Sequence, residues 1–218
     1  MGDSIRERMM KFYSEGDGSI TINACQGHFA TSQSHINYYI DVTRLKVRVS
    51  EAKEAARSLR SKLMNRVTTV DTIVCLDSME MLGGFLANEL EKADIHMNNM
   101  HETIYVVHPE ENTIHQFMFR ENIRPAVEGK QVIVLVDTMT TGETVSKALE
   151  CIEYYGGVIN GVCSIFSTVD KVGNQDVFTL FTEKDLPGYA AYAPNECPFC
   201  QKKIPLEAMV NGYGYSKL

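Results

Sequence analysis

Apolar positions along the chain change period several times, and each change marks an element. Between 50 and 63, Ala52, Ala55, Ala56, Leu59 and Leu63 share one face, Ser50 is placed to cap, and Glu51 and Glu54 suit a positive helix start. This predicts an amphipathic helix. The continuous apolar run 132–136 and the largely apolar segments 72–76 and 158–166 read as buried strands. Helical spacing returns at 81–90, through Leu82, Phe85, Leu86 and Leu90, and at 143–155, through Val145, Ala148, Leu149 and Ile152. Strand, helix and strand from 132 to 166 make a βαβ crossover. Strands expected at 104–107 and 114–119 flank a polar loop, 108–113, which contains Pro109 and is able to cover a site. A short helix is expected at 4–13 and a short strand at 19–23, after the turn signal Gly16-Asp17-Gly18.

Alternation of buried strands with amphipathic helices predicts an α/β fold: a mainly parallel, Rossmann-like sheet flanked by helices, with ligands beyond the carboxyl ends of the strands. The 218 residues suit one main domain, expected over 1–187. From 188 to 218 the composition shifts to Tyr, Pro, Gly and Cys without periodicity, which predicts a small irregular appendage.

Composition narrows the function classes. With 44% hydrophobic and 22% charged residues, the chain lies away from disordered and fibrous proteins. A formal net charge of −7 gives no attraction for nucleic acid, and no apolar run approaches the roughly 20 residues of a membrane span. The first ten residues lack the apolar region of a signal peptide, so a cytoplasmic setting is expected, with the six cysteines reduced. Cys75, Cys151 and Cys163 fall in apolar patterns and are expected in the core.

The candidate chemistry centres on Asp137-Thr138-Met139-Thr140-Thr141-Gly142-Glu143-Thr144, which joins the apolar strand to a helix start. Backbone N–H groups at that start carry partial positive charge, Gly142 allows close approach, and the threonines add hydroxyl donors, so a phosphate monoester fits. Asp137 is placed to accept hydrogen bonds from sugar hydroxyls or to hold magnesium. The plain alternative is a strand-to-helix turn with a threonine cap.

This segment resembles the phosphoribosyl pyrophosphate motif of the type I phosphoribosyltransferases. Residues 32–41, ending Tyr38-Tyr39-Ile40-Asp41, look like the N-terminal signature of the orotate kind, and 72–87 resemble the strand, pyrophosphate loop and helix of that fold. The similarity spans roughly residues 27–167 in the expected order. It implies a phosphoribosyltransferase-type fold with an N-terminal hood or dimer segment at 1–45. The implied reaction moves ribose 5-phosphate from phosphoribosyl pyrophosphate to a nitrogenous base, with Mg2+ and in a homodimer. The site it implies puts the 5-phosphate on 140–144, the ribose hydroxyls on Asp137, and pyrophosphate and metal near Asp77, Ser78, Met79 and Glu80. His108 would lie in the lid, as a general acid or loop donor.

Several positions depart from the family pattern. Val136 stands where a second acid is usual, Asp77-Ser78-Met79-Glu80 replaces a small glycine-containing loop, and His108-Pro109-Glu110-Glu111 occupies the place of a cationic loop. Those departures support a second reading: a catalytically weak or inactive regulatory protein that binds phosphoribosyl pyrophosphate or a nucleotide.

Cys197-Pro198-Phe199-Cys200 has the spacing of a zinc knuckle or a redox pair. Cys25-Gln26-Gly27-His28 offers a second pair at matching spacing, so Cys25, His28, Cys197 and Cys200 are the expected ligands of a Zn2+ site.

Overall fold

The computed structural model describes residues 4–92, 103–114 and 116–218; residues 1–3 of the N-terminal segment and position 115 of the expected strand 114–119 lie outside the described residues. The chain divides into two compact units, Met1–Arg44 with Phe181–Leu218, and Leu45–Leu180. In chain order, β1 (Met10–Tyr13), β2 (Thr21–Ala30) and β3 (His35–Asp41) lead through α1 (Thr43–Val47) to α2 (Val49–Leu63), β4 (Thr72–Cys75), α3 (Glu80–Leu90) and β5 (Tyr105–Val107). There follow β6 (Glu110–Glu111), β7 (Phe117–Met118), β8 (Gln131–Met139), α4 (Glu143–Tyr154), β9 (Val158–Ser167), β10 (Lys171–Val172) and β11 (Gln175–Phe181). The chain ends with β12 (Ala191–Tyr192), α5 (Pro198–Gln201), β13 (Ala208–Asn211) and β14 (Gly214–Lys217).

The Leu45–Leu180 unit holds the sheet β10-β11-β9-β8-β4-β5, in which β5, β4, β8 and β9 run parallel, as expected. Side chains of β8 alternate between its two faces. Val132, Val134 and Val136 join Val145, Ala148, Leu149 and Ile152 of α4 in one buried cluster. On β4, Gly83 of α3 approaches so closely that a Cβ there would stand 2.5 Å from Cys75 Sγ. α3 also packs against α2. Each fully buried aliphatic side chain in such a cluster contributes roughly 1.5–3 kcal/mol, so the unit is held mainly by this sheet-and-helix sandwich. In α2 the N-cap is Arg48, and Ser50 instead donates its hydroxyl to Glu51.

Two expectations are corrected. The strand at 114–119 does not join the sheet: β7 pairs with β6 in a separate two-stranded hairpin, so 108–113 is part of that hairpin rather than a loop between sheet strands. Asn112 closes it, its Oδ1 accepting from the N–H groups of Ile114 and Gln116. This is an Asx turn, which offers the backbone an alternative to a long ladder.

The helix expected at 4–13 is likewise replaced at its end by β1, which pairs antiparallel with residues 21–24 of β2. The turn between them reverses the chain through the bonds from Ser14 N–H to Ile20 O and from Ile20 N–H to Asp17 O. In this unit β12, β3, β2, β13 and β14 form one sheet, with β1 also on β2. Thus 188–218, without a readable period, is knitted in by β12 on β3 and β13 on β2. Tyr39 packs with Cys25, Phe29, Ile36, Ala208 and Val210, and Tyr38 is buried with its hydroxyl donating to Pro187 O. No helix among the described residues is long and apolar enough to cross a membrane.

Candidate functional site

Strand register builds the site. Cys75 of β4 lies opposite Leu135 of β8, and Leu76 N–H donates to Leu135 O at 2.8 Å. Two residues on, Asp77 leaves β4 beside Asp137, whose negative charge acts on its carboxyl. The chain turns there through left-handed backbone, with φ 51° at Asp77 and 60° at Ser78, a conformation uncommon outside glycine. Lys46 of α1 donates to Asp137 Oδ2 at 3.1 Å with both side chains buried, and Asp137 Oδ1 accepts from the Thr138 N–H.

Burial pushes the Asp77 carboxyl up to about 7, the negative charge of Asp137 adds to the rise, Lys46 opposes it and Glu111 adds to it. Two carboxylates this close do not both ionise without compensation. Lys46 balances one negative charge. The second needs a proton or a cation, and a divalent cation held by one or two carboxylates suits the donor set.

Beyond Asp137, β8 continues to Met139, which is buried, and the loop turns at Thr140 and Thr141. Thr168 fastens the turn, its N–H donating to Met139 O and its hydroxyl to Thr140 O. Gly142 sits at the N-cap of α4 with φ 75°, and a Cβ there would stand 2.9 Å from Val172 Cγ2. Only glycine takes that position without strain. The N-cap glycine has no side chain to close the helix start, where Thr141 Oγ1 accepts from the Glu143 N–H at 3.5 Å, and Thr141, Glu143 and Thr144 are exposed around it. The Glu143 carboxylate turns toward Lys147 at 3.1 Å. The arrangement suits an anion.

The remaining expected residues divide. Ser78 is exposed, Met79 is buried, and Glu80 opens α3 with its carboxylate 3.4 Å from His108 Nδ1. Arg120 donates from Nε and Nη2 to the one oxygen Oε2 of Glu110 across the β6–β7 hairpin. Lys46 was not among the expected residues; its neighbours carry no period, and 91 positions separate it from Asp137. Of the expected zinc ligands, His28, Cys197 and Cys200 converge. Cys25 does not: it points into the apolar cluster with Phe29 and Tyr39, and His35 takes the fourth place.

No family model matches the chain. Over 207 residues it is 26% identical to an orotate phosphoribosyltransferase of Sulfurimonas denitrificans, covering 88% of this chain and 92% of that protein. A shorter match, 36% identical over 80 residues, is to an orotate phosphoribosyltransferase of Thermus thermophilus and spans 42% of its length. Among solved structures, UMP synthase of Leishmania donovani superposes with a TM-score of 0.55 at 16% identity, over 83% of this chain and 36% of that one. Orotate phosphoribosyltransferase of Mycobacterium tuberculosis superposes at 0.51 and 15% identity, over 75% of this chain and 91% of that one. The chain has the type I phosphoribosyltransferase fold and is orotate phosphoribosyltransferase-like in sequence.

Within this phosphoribosyltransferase-type sheet the departure at Val136 has a physical setting. Val136 is 2% exposed in the α4 cluster, so its side chain lies on the opposite face from Asp137, where an acid would meet apolar packing.

Proposed function

We propose that the chain transfers ribose 5-phosphate from phosphoribosyl pyrophosphate to a nitrogenous base, orotate-like in kind. The observation that carries this reading is the placement of the Asp77–Asp137 pair and the start of α4 at one carboxyl edge of the parallel sheet. The N–H groups at 143–145, with the hydroxyls of Thr140, Thr141 and Thr144, would hold the 5-phosphate. Asp137, fixed by Lys46 and the Thr138 N–H, would accept from the ribose hydroxyls and orient C1 for attack.

Asp77 and Asp137 would hold Mg2+, and the metal would supply charge neutralisation for the departing pyrophosphate. Asp77 would exchange its proton for that cation, and Asp137 would retain Lys46 as its counter-charge. His108, beside Glu80, would sit in the lid over the leaving group. The reading carries with it a homodimer and a cytoplasmic setting, with phosphoribosyl pyrophosphate and the base as small-molecule partners.

Pyrophosphate release from phosphoribosyl pyrophosphate and Mg2+, screened against orotate and other bases, tests the reading; Asp137→Asn is expected to abolish it. A regulatory protein that binds phosphoribosyl pyrophosphate or a nucleotide without turnover is the second reading. It is favoured by the hairpin, where Glu110 engages Arg120 and Glu111 adds negative charge near Asp77. Binding of phosphoribosyl pyrophosphate, seen by calorimetry, with no pyrophosphate released for any base would decide for it.

A further inference from the structure

In the unit Met1–Arg44 with Phe181–Leu218, four side chains turn metal-binding atoms toward one another. His28 Nε2 lies 3.2 Å from His35 Nδ1, 3.4 Å from Cys197 Sγ and 3.7 Å from Cys200 Sγ, and Cys200 Sγ lies 3.3 Å from His35 Nδ1. All four atoms fall within 4.8 Å of one another. A tetrahedron with zinc bonds of about 2.0–2.1 Å to nitrogen and about 2.3 Å to sulfur has edges of roughly 3.3–3.8 Å. The four distances follow those edges.

A second observation concerns the proton on His28. Its Nδ1 lies 2.9 Å from Ile204 O, and a carbonyl can only accept, so Nδ1 carries the hydrogen and Nε2 turns a lone pair into the cluster. This is the outer-shell bond that orients a metal-ligating imidazole. The fold supports the placement. A β-bulge between Gln26 and Phe29 sets Gly27 and His28 opposite Asn37 and re-aims the strand there, and Phe199 stacks on the His28 ring at 5.1 Å. His35 begins β3, and Pro198 starts the turn that carries both cysteines, which are free thiols.

We propose that His28, His35, Cys197 and Cys200 bind one zinc ion. Four protein ligands close the coordination shell, so the site is structural and ties α5 to the β2–β3 hairpin. The two imidazoles bind as neutral ligands, while both cysteines bind as thiolates, so loading releases the two thiol protons.

The test uses the full chain prepared without a metal-affinity tag. Elemental analysis is expected to give about one zinc per chain. Cobalt substitution of the wild-type protein is expected to give the visible bands of a tetrahedral site together with a thiolate charge-transfer band, a readout that needs no variant. Cys200→Ser and His35→Ala should each lose the ion, whereas Cys25→Ser should keep it. Chelator treatment should lower the melting temperature. The proposal is overturned if folded wild-type protein, checked by circular dichroism, leaves zinc with a competing indicator. A Cys197–Cys200 disulfide in freshly purified protein, or zinc retained by a folded His35→Ala/Cys200→Ser variant, would also overturn it.

Discussion

Asp77 and Asp137 stand side by side at the carboxyl edge of adjacent parallel strands, and burial together with the negative charge of Asp137 raises the Asp77 carboxyl to about 7. That pairing makes the site sensitive to pH near neutrality.

Because Asp77 is raised to about 7 from an ordinary value of 3.8, the folded state binds the extra proton between those values. Its contribution to stability is therefore full below pH 3.8, falls as pH rises toward 7 and is flat above. Asp77→Asn should be more stable than the parent at pH 8, with the difference shrinking steadily as pH is lowered. Denaturant unfolding of both proteins across the range reads this directly. If Mg2+ displaces the same proton, its affinity with phosphoribosyl pyrophosphate should weaken by up to about tenfold for each pH unit that the pH is lowered below 7, measured by calorimetry.

Lys46 supplies the positive charge that faces the buried Asp137 carboxyl. Lys46→Met should cost about 3–5 kcal/mol at neutral pH, since it leaves a buried charge without its counter-ion. The double variant with Asp137→Asn should recover part of that loss. An additive result in the double-mutant cycle would show that the pair does not couple.

Gly142→Ala places a Cβ at left-handed φ and against Val172. Backbone strain alone costs roughly 1–2 kcal/mol. The larger expected effect is on the anion cradle: inorganic phosphate and phosphoribosyl pyrophosphate should bind much more weakly, while circular dichroism stays native. Equal affinity in the variant would remove the start of α4 from the site.

His108 and Glu80 meet on the surface, so His108→Gln should change stability by less than about 0.5 kcal/mol. Any lid function should appear as lower turnover at an unchanged melting temperature. Unchanged turnover would leave His108 as a solvated loop residue.

The parts of the molecule readable from sequence are those where one period decides the outcome. The run 132–136 and the stripe Val145, Ala148, Leu149 and Ile152 each bury one surface against the other, so β8, α4 and β9 appear close to where the pattern puts them. The site is readable only in its local half: the loop Asp137 to Thr144 is contiguous, whereas Lys46 is held by a salt bridge across the fold and Asp77 by register. Neither leaves a periodic trace. The same holds for His35, which takes the place expected of Cys25. The two-residue spacing of Cys25 and His28 matches that of a ligand pair in a turn, but both residues lie on strand β2, where Cys25 enters the apolar cluster and only His28 reaches the other ligands. The hairpin at 110–118 was hidden for another reason: a single Asn112 side chain decides it.

β8 outruns its neighbour. Its ladder to β4 ends at Leu135, while on the β9 side pairing continues to Met139 opposite Ser167. The carboxyl edge thus has one stiff flank and one compliant flank. The amide hydrogen of Met139 should exchange slowly whether or not a ligand is present, and the arrival of a ribose phosphate should register chiefly as slowed exchange around 77–80, the flank that must adjust to it.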